Sequence, residues 1–252
     1  MNTSESPVKV ARDGHVATVT LCRPGSLNAI TREMLIQLAA ALDDFAADDT
    51  VKVVVLTGEG RAFSAGVDLK ELGERRLELG SIGDYLDTPA RDVIRKLTTM
   101  PKVVIARVNG FCFTGALELA LACDLVVVAA EAKLGDTHAK WGLRPTWGMS
   151  QRLVRAIGIN RARELSYTAR TFTGEEAAEW GLAVRAVPLA DLDREVAELA
   201  AAVAGNSQGS VAAYKDLFRH ALDSGLAEGI DYEERTHYPI HDTEDRVGQF
   251  RS

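Results

Sequence analysis

The chain has 252 residues, of which 46% are hydrophobic and 26% charged, a balance typical of a soluble globular protein with one large core. A formal net charge of −7 argues against a general nucleic-acid-binding surface, although a few cations could still bind an anionic ligand. The three cysteines lie in apolar segments without metal-ligand spacing, which predicts reduced thiols in a cytoplasmic protein. We find no signal-peptide pattern and no apolar run long enough to span a membrane.

The first part of the chain predicts a hairpin, a helix and a buried strand. Residues 8–10 and 15–21 alternate around the turn pair Asp13-Gly14, which is typical of a β-hairpin. A helix is expected from a Thr31 cap to about Ala47, and the apolar run 51–57 predicts a parallel-sheet strand. The loop that follows lacks the glycine pattern of a dinucleotide turn and the Lys of a P-loop.

The segment 71–90 is charged, punctuated by glycine and only weakly periodic. Two interpretations have about equal weight: a mobile lid or wall of a pocket, or a solvated excursion on the surface. A helix is expected over 91–99, where Pro101 stops it.

The most informative stretch is 103–128, which predicts a strand, a turn at Asn109-Gly110, a short apolar helix and a second strand. Gly115 lies at the mouth of this helix, and Glu118 is the carboxylate inside its first turn. The first N–H groups of a helix have no internal partner, so a ligand oxygen could approach Gly115 closely. An acid enclosed by apolar walls could exchange a proton near neutral pH. A structural alternative has Gly115 as the N-cap and Glu118 bonding back to it.

The remaining elements predict an α/β core followed by helices. Asp136 could cap a one-turn helix that Gly142 ends, and Thr173 with Glu176 has capping-box spacing. Further elements are expected at these positions: a helix over 147–158, a strand over 183–187, and helices over about 190–204, 208–223 and 226–237. We therefore divide the chain into a core, 1–188, and a helical region, 189–252.

Several segments taken together resemble the crotonase superfamily, the enoyl-CoA hydratase/isomerase family, from about residue 8 to 250. The segments are Arg23-Pro24, Leu27-Asn28-Ala29, Ala62 to Lys70, Val108-Asn109-Gly110, Gly115, Glu118-Leu119-Ala120, Cys123-Asp124, Trp141-Gly142-Leu143, Gln151-Arg152-Leu153, Thr173-Gly174 and Gly181-Leu182-Ala183. Each is weak alone, but their order and spacing match the family. The resemblance implies an α/β fold with a crotonase-like ββα spiral core and a C-terminal helical region that serves in oligomerisation.

The resemblance also implies an oxyanion hole for a thioester carbonyl, formed by the backbone N–H groups of Val67 and Gly115. Family hydratases use two glutamates, which hold a water and transfer its protons. Glu118 matches the first glutamate, whereas His138 occupies the position of the second. An imidazole can be a base or an acid near neutral pH, so Glu118 and His138 are the predicted catalytic pair. The alternative is that Asp136 supplies the second carboxylate, which requires its loop to shift.

For coenzyme A, the resemblance implies backbone contacts near Ala65 and Leu69, with Arg23 and Lys70 close to the phosphates. Both cations could equally be ordinary surface residues. No metal site and no separate cofactor are expected, because coenzyme A is part of the substrate. The family assembles as trimers, often paired into hexamers, so a homo-oligomer is expected, without a nucleic-acid or membrane partner.

The leading hypothesis is therefore an enoyl-CoA hydratase that adds water to a 2-trans-enoyl-CoA. One alternative is another reaction through the same thioester site, namely enoyl-CoA isomerisation, decarboxylation or thioester hydrolysis. A further alternative is an acyl-CoA-binding protein without catalytic activity.

Overall fold

The computed structural model of the protein describes residues 6–75 and 77–251. In this part of the chain the strands are β1 (Val8–Asp13), β2 (Val16–Leu21), β3 (Val53–Gly58), β4 (Ala62–Ser64), β5 (Val103–Val108), β6 (Phe111–Phe113), β7 (Leu125–Ala129), β8 (Lys133–Gly135), β9 (Phe172–Thr173) and β10 (Arg185–Val187). The helices are α1 (Arg32–Ala47), α2 (Asp84–Thr99), α3 (Gly115–Ala122), α4 (Met149–Ile157), α5 (Ile159–Thr168), α6 (Gly174–Glu179), α7 (Leu192–Ala204), α8 (Gln208–Ala221), α9 (Leu226–Arg235) and α10 (Thr243–Arg251). Among the described residues, no helix is both long and apolar enough to cross a membrane.

The larger sheet has six strands in the order β1-β2-β3-β5-β7-β10. β1 and β2 pair antiparallel with Asp13 opposite Val16, which confirms the predicted hairpin. The other neighbouring strands of this sheet are parallel. All six residues of β3 are buried, as expected for an apolar run that lies in a parallel sheet covered on both faces.

Helix α1 shows how the sequence determines a packed element. The Thr31 side chain accepts a hydrogen bond from the N–H of Met34 at 3.2 Å, which confirms the predicted cap. The apolar side chains at helical spacing, Leu35, Leu38 and Leu42, are buried against the core. Burying a leucine of this kind contributes roughly 1.5–3 kcal/mol, so the buried face rather than helix propensity stabilises α1.

A second, smaller sheet positions the loops that matter for function. Its strand order is β4-β6-β8-β9, and β4, β6 and β8 are mutually parallel. Parallel neighbours end at the same edge of a sheet, so the loop after β4 and the start of α3 after β6 lie side by side. Gly66 shows how close they are, because an added Cβ would lie 2.8 Å from the carbonyl oxygen of Phe113. Its φ of +92° also favours glycine.

The helix expected over 91–99 begins earlier than predicted, at Asp84, and contains Pro89. The expectation was wrong because a proline and nearby glycines usually mark a boundary. The loop before α2 is tied to the chain beyond β8: the N–H of Arg144 donates to the carbonyl of Gly80 at 2.8 Å. Because Ile82 lines the cavity described below, this part of 71–90 forms a pocket wall.

The helical region that follows β10 contains α7, α8 and α9 close to their expected positions, and also α10, which the sequence did not predict. Lys215 of α8 ties this region to the core. Its ammonium group lies 2.8 Å from the Asp124 carboxylate and also donates to the backbone carbonyls of Leu97 and Lys102.

Candidate active site

Glu118 lies in α3 with its side chain turned into the protein, and only 2% of the residue is exposed. Its Oε1 atom accepts two backbone hydrogen bonds, from the N–H of Trp147 at 3.0 Å and from the N–H of Met149 at 2.9 Å. Both donors come from the turn that precedes and opens α4. The carboxylate is therefore oriented by fixed backbone groups, and its second oxygen remains available for other contacts.

The structural alternative for Glu118 is wrong. Thr114, rather than Gly115, is the N-cap of α3, and Gly115 is the first helical residue. Because the Glu118 carboxylate binds Trp147 and Met149, it forms no capping box with its own helix. Thr114 itself adopts φ +53° and ψ −113°, an unusual conformation for a threonine that lets the chain turn sharply from β6 into α3.

Gly115 and Val67 line the same cavity, one at the start of α3 and the other after β4. The N–H of Gly115 has no acceptor within its own helix, because it belongs to the first residue of α3. A larger residue would not fit, since an added Cβ at Gly115 would lie 2.7 Å from Cζ3 of Trp147. Val67 is held by a parallel bridge with Ile30, so its backbone position is fixed as well.

His138 is buried beside this pair and is oriented by Asp136. The Nδ1 atom of His138 lies 2.7 Å from Oδ1 of Asp136, and the backbone N–H of His138 donates to the same oxygen at 3.2 Å. The Ser166 hydroxyl donates to Oδ2 of Asp136 at 2.7 Å. With its proton on Nδ1, the neutral imidazole presents the lone pair of Nε2 to the cavity.

The prediction that Asp136 caps the short helix is wrong. The N-cap of that turn, Ala139–Trp141, is His138, without a side-chain cap, although Gly142 ends the turn in the left-handed conformation as expected. Asp136 is also not placed as the second carboxylate, since its Oδ1 atom binds the far side of the imidazole from Glu118. Its contacts make it the residue that orients His138.

Glu118 and His138 face each other across a short gap. The Nε2 atom of His138 lies 3.7 Å from Oε2 of Glu118, which is too long for a direct hydrogen bond. A hydroxyl contact at 2.5 Å, between Thr114 and Thr137, ties the two segments together. The gap suits one water, which could donate one hydrogen to the carboxylate and the other to the imidazole.

The electrostatic surroundings distinguish the two carboxylates. Burial raises the pKa of Glu118 above its ordinary value, although the N–H groups of Met149 and Trp147 and the His138 side chain oppose this shift. Burial acts in the same direction on Asp136, but the hydrogen bonds from His138 and Ser166 outweigh it, and the pKa of Asp136 lies below its ordinary value. Asp136 therefore favours its ionised form, whereas burial makes Glu118 the stronger base of the two.

These groups surround a cavity of about 130 Å³. Ala65, Val67 and Leu69 lie on one side of it, and Glu118 and His138 on another. Its remaining lining residues are Ile82, Thr114, Gly115, Thr137, Trp141, Leu143, Arg144, Thr146 and Trp147. The structure thus brings together six of the residues expected from the sequence: both catalytic candidates, both oxyanion-hole candidates, and Ala65 and Leu69, whose backbone is expected to meet coenzyme A.

The two cations expected near the phosphates lie outside this cavity lining. The Arg23 guanidinium forms an ion pair with Asp68 at 2.9 Å and donates to the carbonyl of Ala29 at 2.6 Å. Lys70 is exposed, and its backbone N–H donates to Asp68. Their contacts with a phosphate remain a prediction. Among the residues described, no group of three or more His, Cys, Asp or Glu side chains could hold a metal ion.

Sequence reasoning missed Ser166 and underestimated Trp147. Ser166 acts through Asp136, which precedes it by thirty residues (166 − 136), so no local pattern marks it. Trp147 was expected only as the start of a helix, but it supplies a backbone donor to Glu118 and packs its ring against Gly115. Its position before Gly148, which has φ +109°, marks a sharp turn that could have drawn attention to it.

Known proteins resemble this chain over most of its length. A family model described as enoyl-CoA hydratase/isomerase matches residues 11–250. A protein of Arabidopsis thaliana named "Probable enoyl-CoA hydratase 1, peroxisomal" is 39% identical over 236 residues, which cover 93% of this chain and 87% of that protein. The enoyl-CoA hydratase structure from Bacillus anthracis matches with a TM-score of 0.90 at 32% identity, covering 97% of this chain and 95% of that one. A Thermobifida fusca YX protein solved in complex with CoA matches with a TM-score of 0.82 at 30% identity, covering 98% and 95%.

The chain belongs to the enoyl-CoA hydratase/isomerase family, and its fold is the crotonase fold. The predicted fold class is therefore confirmed, and the family is one that binds acyl-CoA thioesters. The division at residue 188 and the cytoplasmic location stay predictions, and the name of the Arabidopsis relative refers to peroxisomes.

Proposed function

We propose that the protein is an enoyl-CoA hydratase, which adds water across the double bond of a 2-trans-enoyl-CoA. The observation that carries this proposal is the 3.7 Å gap between Oε2 of Glu118 and Nε2 of His138, beside the helix mouth at Gly115. Two proton acceptors at this separation can bind one water and aim its oxygen lone pair into the cavity. The family relationship and the hydratase names of the relatives support the same reaction.

In the proposed reaction the thioester carbonyl accepts hydrogen bonds from the N–H groups of Val67 and Gly115. The water oxygen forms a bond to Cβ, and one water proton passes to the Glu118–His138 pair. The electrons of the double bond move to the thioester oxygen, where the two N–H groups stabilise the enolate. The pair then returns one proton to Cα, so no proton is gained or lost overall. Removing one donor from such a site typically costs ~3 kcal/mol of transition-state stabilisation.

The raised pKa of Glu118 suits this role. Burial makes the Glu118 carboxylate a stronger base than an exposed one, while its two backbone donors stabilise the ionised form. His138 is suited to hold the other hydrogen of the water because Asp136 fixes the ring with Nε2 towards Glu118. The substitution of the family's second glutamate by His138 therefore keeps two acceptors in the site.

The substrate would lie with its thioester between the loops at Val67 and Gly115. Backbone near Ala65 and Leu69 would meet the coenzyme, and Arg23 and Lys70 would lie near its phosphates. The Arg23 guanidinium would then bind a phosphate either beside its ion pair with Asp68 or in place of it. The acyl group would extend towards Ile82, Leu143 and Trp147, which supply apolar surface to the cavity.

One observation favours a second candidate, thioester hydrolysis. An Asp–His arrangement such as Asp136–His138 also orients the base in many hydrolases, and an oxyanion hole serves attack at a carbonyl equally well. The products distinguish the two reactions. Hydration removes the conjugated double bond and keeps the thioester, whereas hydrolysis releases the free thiol of coenzyme A.

The test is to mix the purified protein with 2-trans-enoyl-CoAs of short and medium chain length. We expect the absorbance of the conjugated enoyl thioester to fall, while a thiol reagent detects no free coenzyme A. Glu118→Gln is the matched control, because it keeps the shape of the side chain and an oxygen for the two backbone donors. Folded protein that binds acyl-CoA but turns over no chain length would contradict the proposal and favour a binding protein.

We also propose that the protein forms a homotrimer, or a hexamer of two trimers, through its C-terminal helices. Helix α8, the residue Leu222 directly after it and helix α9 expose the apolar side chains of Tyr214, Phe218, Leu222, Leu226 and Ile230, and exposed apolar surface of this kind is typical of protein–protein interfaces. Light scattering after gel filtration tests this assembly. A monomer at micromolar concentration would contradict it.

A further inference from the structure

Asp87 is a buried carboxylate that links three segments around the cavity. Only 1% of the residue is exposed, and it lies in the first turn of α2. Its Oδ1 atom accepts from Nε1 of Trp147 at 2.8 Å and from the Thr146 hydroxyl at 2.7 Å. Its Oδ2 atom accepts from the Ser81 hydroxyl at 3.0 Å and from Arg91 at 3.3 Å. No motif in the sequence marked this residue.

The turn that Asp87 holds carries both backbone donors to Glu118. Trp147 donates its backbone N–H to Glu118 and its indole N–H to Asp87, so one residue connects the two carboxylates. The same indole ring packs where a side chain on Gly115 would lie. On the opposite side, the Arg152 guanidinium donates to the carbonyl of Trp147 at 3.1 Å. The turn is thus fixed from the α2 side by Asp87 and from the α4 side by Arg152.

A purely structural role explains this carboxylate poorly. Moving an ion into a protein interior is unfavourable, and an apolar residue of similar volume would fill the position at lower cost. The position near the N-terminus of α2 offsets part of this cost, because the helix macrodipole favours a negative charge there. Unlike an apolar residue, the carboxylate accepts hydrogen bonds that fix the orientation of Trp147 and the position of Thr146.

We propose that Asp87 is a positioning residue, which holds the turn 146–149 so that its N–H groups orient Glu118 and its indole borders the Gly115 N–H. Asp87 does not line the cavity, so it acts through Trp147 rather than on the substrate. The consequence for turnover rests on the proposed hydratase function. The effect of Asp87 on the ionisation of Glu118 does not rest on that function, and it can be measured without any substrate.

The measurement uses the full-length protein labelled with ¹⁵N at its three tryptophans and four methionines. The backbone N–H signals of Trp147 and Met149 report the ionisation of Glu118, because both groups donate to it. Other charged groups face Glu118 from the packed elements: His138 and Asp136 from the segment after β8, and Arg152 from α4. Glu118→Gln separates their titrations, since any step that persists in this variant belongs to a neighbour.

We expect Asp87→Ala to weaken both backbone donors and therefore to raise the pH midpoint of the Trp147 and Met149 signals by roughly half to one unit. It should also shift the indole signal of Trp147 and lower kcat roughly 10- to 100-fold with little change in KM. Asp87→Asn keeps an oxygen for the indole, so it should restore most of kcat and return the midpoint towards that of the unchanged protein.

Asp124→Asn is the control, because Asp124 is also an ion-paired carboxylate with a backbone donor, but it binds Lys215 and the N–H of Val104, away from the cavity. It should leave kcat and the Glu118 midpoint unchanged.

If Asp87→Ala does not fold, Trp147→Phe removes the same hydrogen bond from the other side, and the Met149 signal still reports Glu118. An unchanged midpoint in a folded variant would overturn the proposal, whatever happens to turnover. Absence of hydration by the unchanged protein would contradict the proposed function alone.

Discussion

Glu118 and His138 lie on opposite sides of one cavity, but the chain supports them in different ways. Glu118 belongs to α3, whose residues are almost all buried, so packing and two backbone donors fix it. His138 begins a short turn in which Lys140 is exposed and Trp141 is 58% exposed, and it is held by the hydrogen bonds that it donates to Asp136. Packing therefore does most to fix the Glu118 side of the site, whereas polar contacts fix the His138 side.

This difference has a consequence for substitutions. On the α3 side, a larger residue at Gly115 should disturb the site, because its Cβ would meet the Trp147 ring. On the His138 side, activity should fall by an amount that depends on which hydrogen bond is removed. The loss should be larger for the bond between His138 and Asp136 than for the bond between Asp136 and Ser166.

The largest effect is expected for Glu118→Gln. The amide keeps the two backbone contacts but cannot accept a proton, so kcat should fall roughly 1,000-fold while affinity for a saturated acyl-CoA stays nearly unchanged. Stopped-flow absorbance gives kcat, and calorimetry gives the affinity. Loss of binding together with turnover would indicate that Glu118 holds the fold or the ligand rather than a proton.

A smaller effect is expected for Gly115→Ala, at roughly 100-fold in kcat. The added methyl group must displace the Trp147 ring, which moves the Gly115 N–H and a donor to Glu118 together. Val67→Ala is the control, because an N–H donor does not depend on its side chain, and it should change kcat less than threefold or so. Equal losses in the two variants would show that these positions act through side-chain packing.

Asp136→Asn should lower kcat roughly 10-fold, and Ser166→Ala only a few-fold. An asparagine can donate to Nδ1 instead of accepting from it, which favours the wrong tautomer of His138 and places a proton on Nε2. Steady-state rates between pH 6 and 9 test this order. If Asp136→Asn retained full activity across that range, His138 would not need its fixed tautomer.

The smallest effect concerns stability. Because burial raises the pKa of Glu118 above the ordinary 4.5, the ionised form opposes folding above the raised pKa, and this cost disappears as pH falls below 4.5. Glu118→Gln should therefore raise Tm at pH 7.5 by about 2–4 °C, equivalent to ~1 kcal/mol, and the difference should shrink towards pH 4. The exposed Glu179→Gln serves as the control in calorimetry, and it should show no such pH-dependent gain.

Much of the fold could be predicted because its signals are local. The alternation of β2, the apolar run of β3 and the caps at Thr31 and Thr173 each act within a few residues, and the structure confirms them. The start of α2 could not be predicted, since tertiary contacts override the local signal of Pro89. The short strands β4, β8 and β9 have too few residues to show a period.

For the site, Gly115 and Glu118 could be found because an isolated glycine and an isolated acid stand out in an apolar stretch. The role of Asp136 could not be found from the sequence. A residue two positions from His138 can either cap a turn or bind the imidazole ring, and only the orientation of the ring shows which of the two it does. Asp87 was invisible for another reason. Its partner Trp147 is sixty residues away (147 − 87), and no sequence pattern reports a hydrogen bond over that distance.

In the proposed mechanism Glu118 and His138 hold the same water, and a double-mutant cycle on kcat/KM tests this shared role. Glu118→Gln, His138→Gln and the double variant would be compared with the unchanged protein on one enoyl-CoA. Two residues that act on one water should not contribute independently, so the double variant should be only slightly slower than Glu118→Gln. A double variant whose loss equals the product of the two single losses would contradict the account.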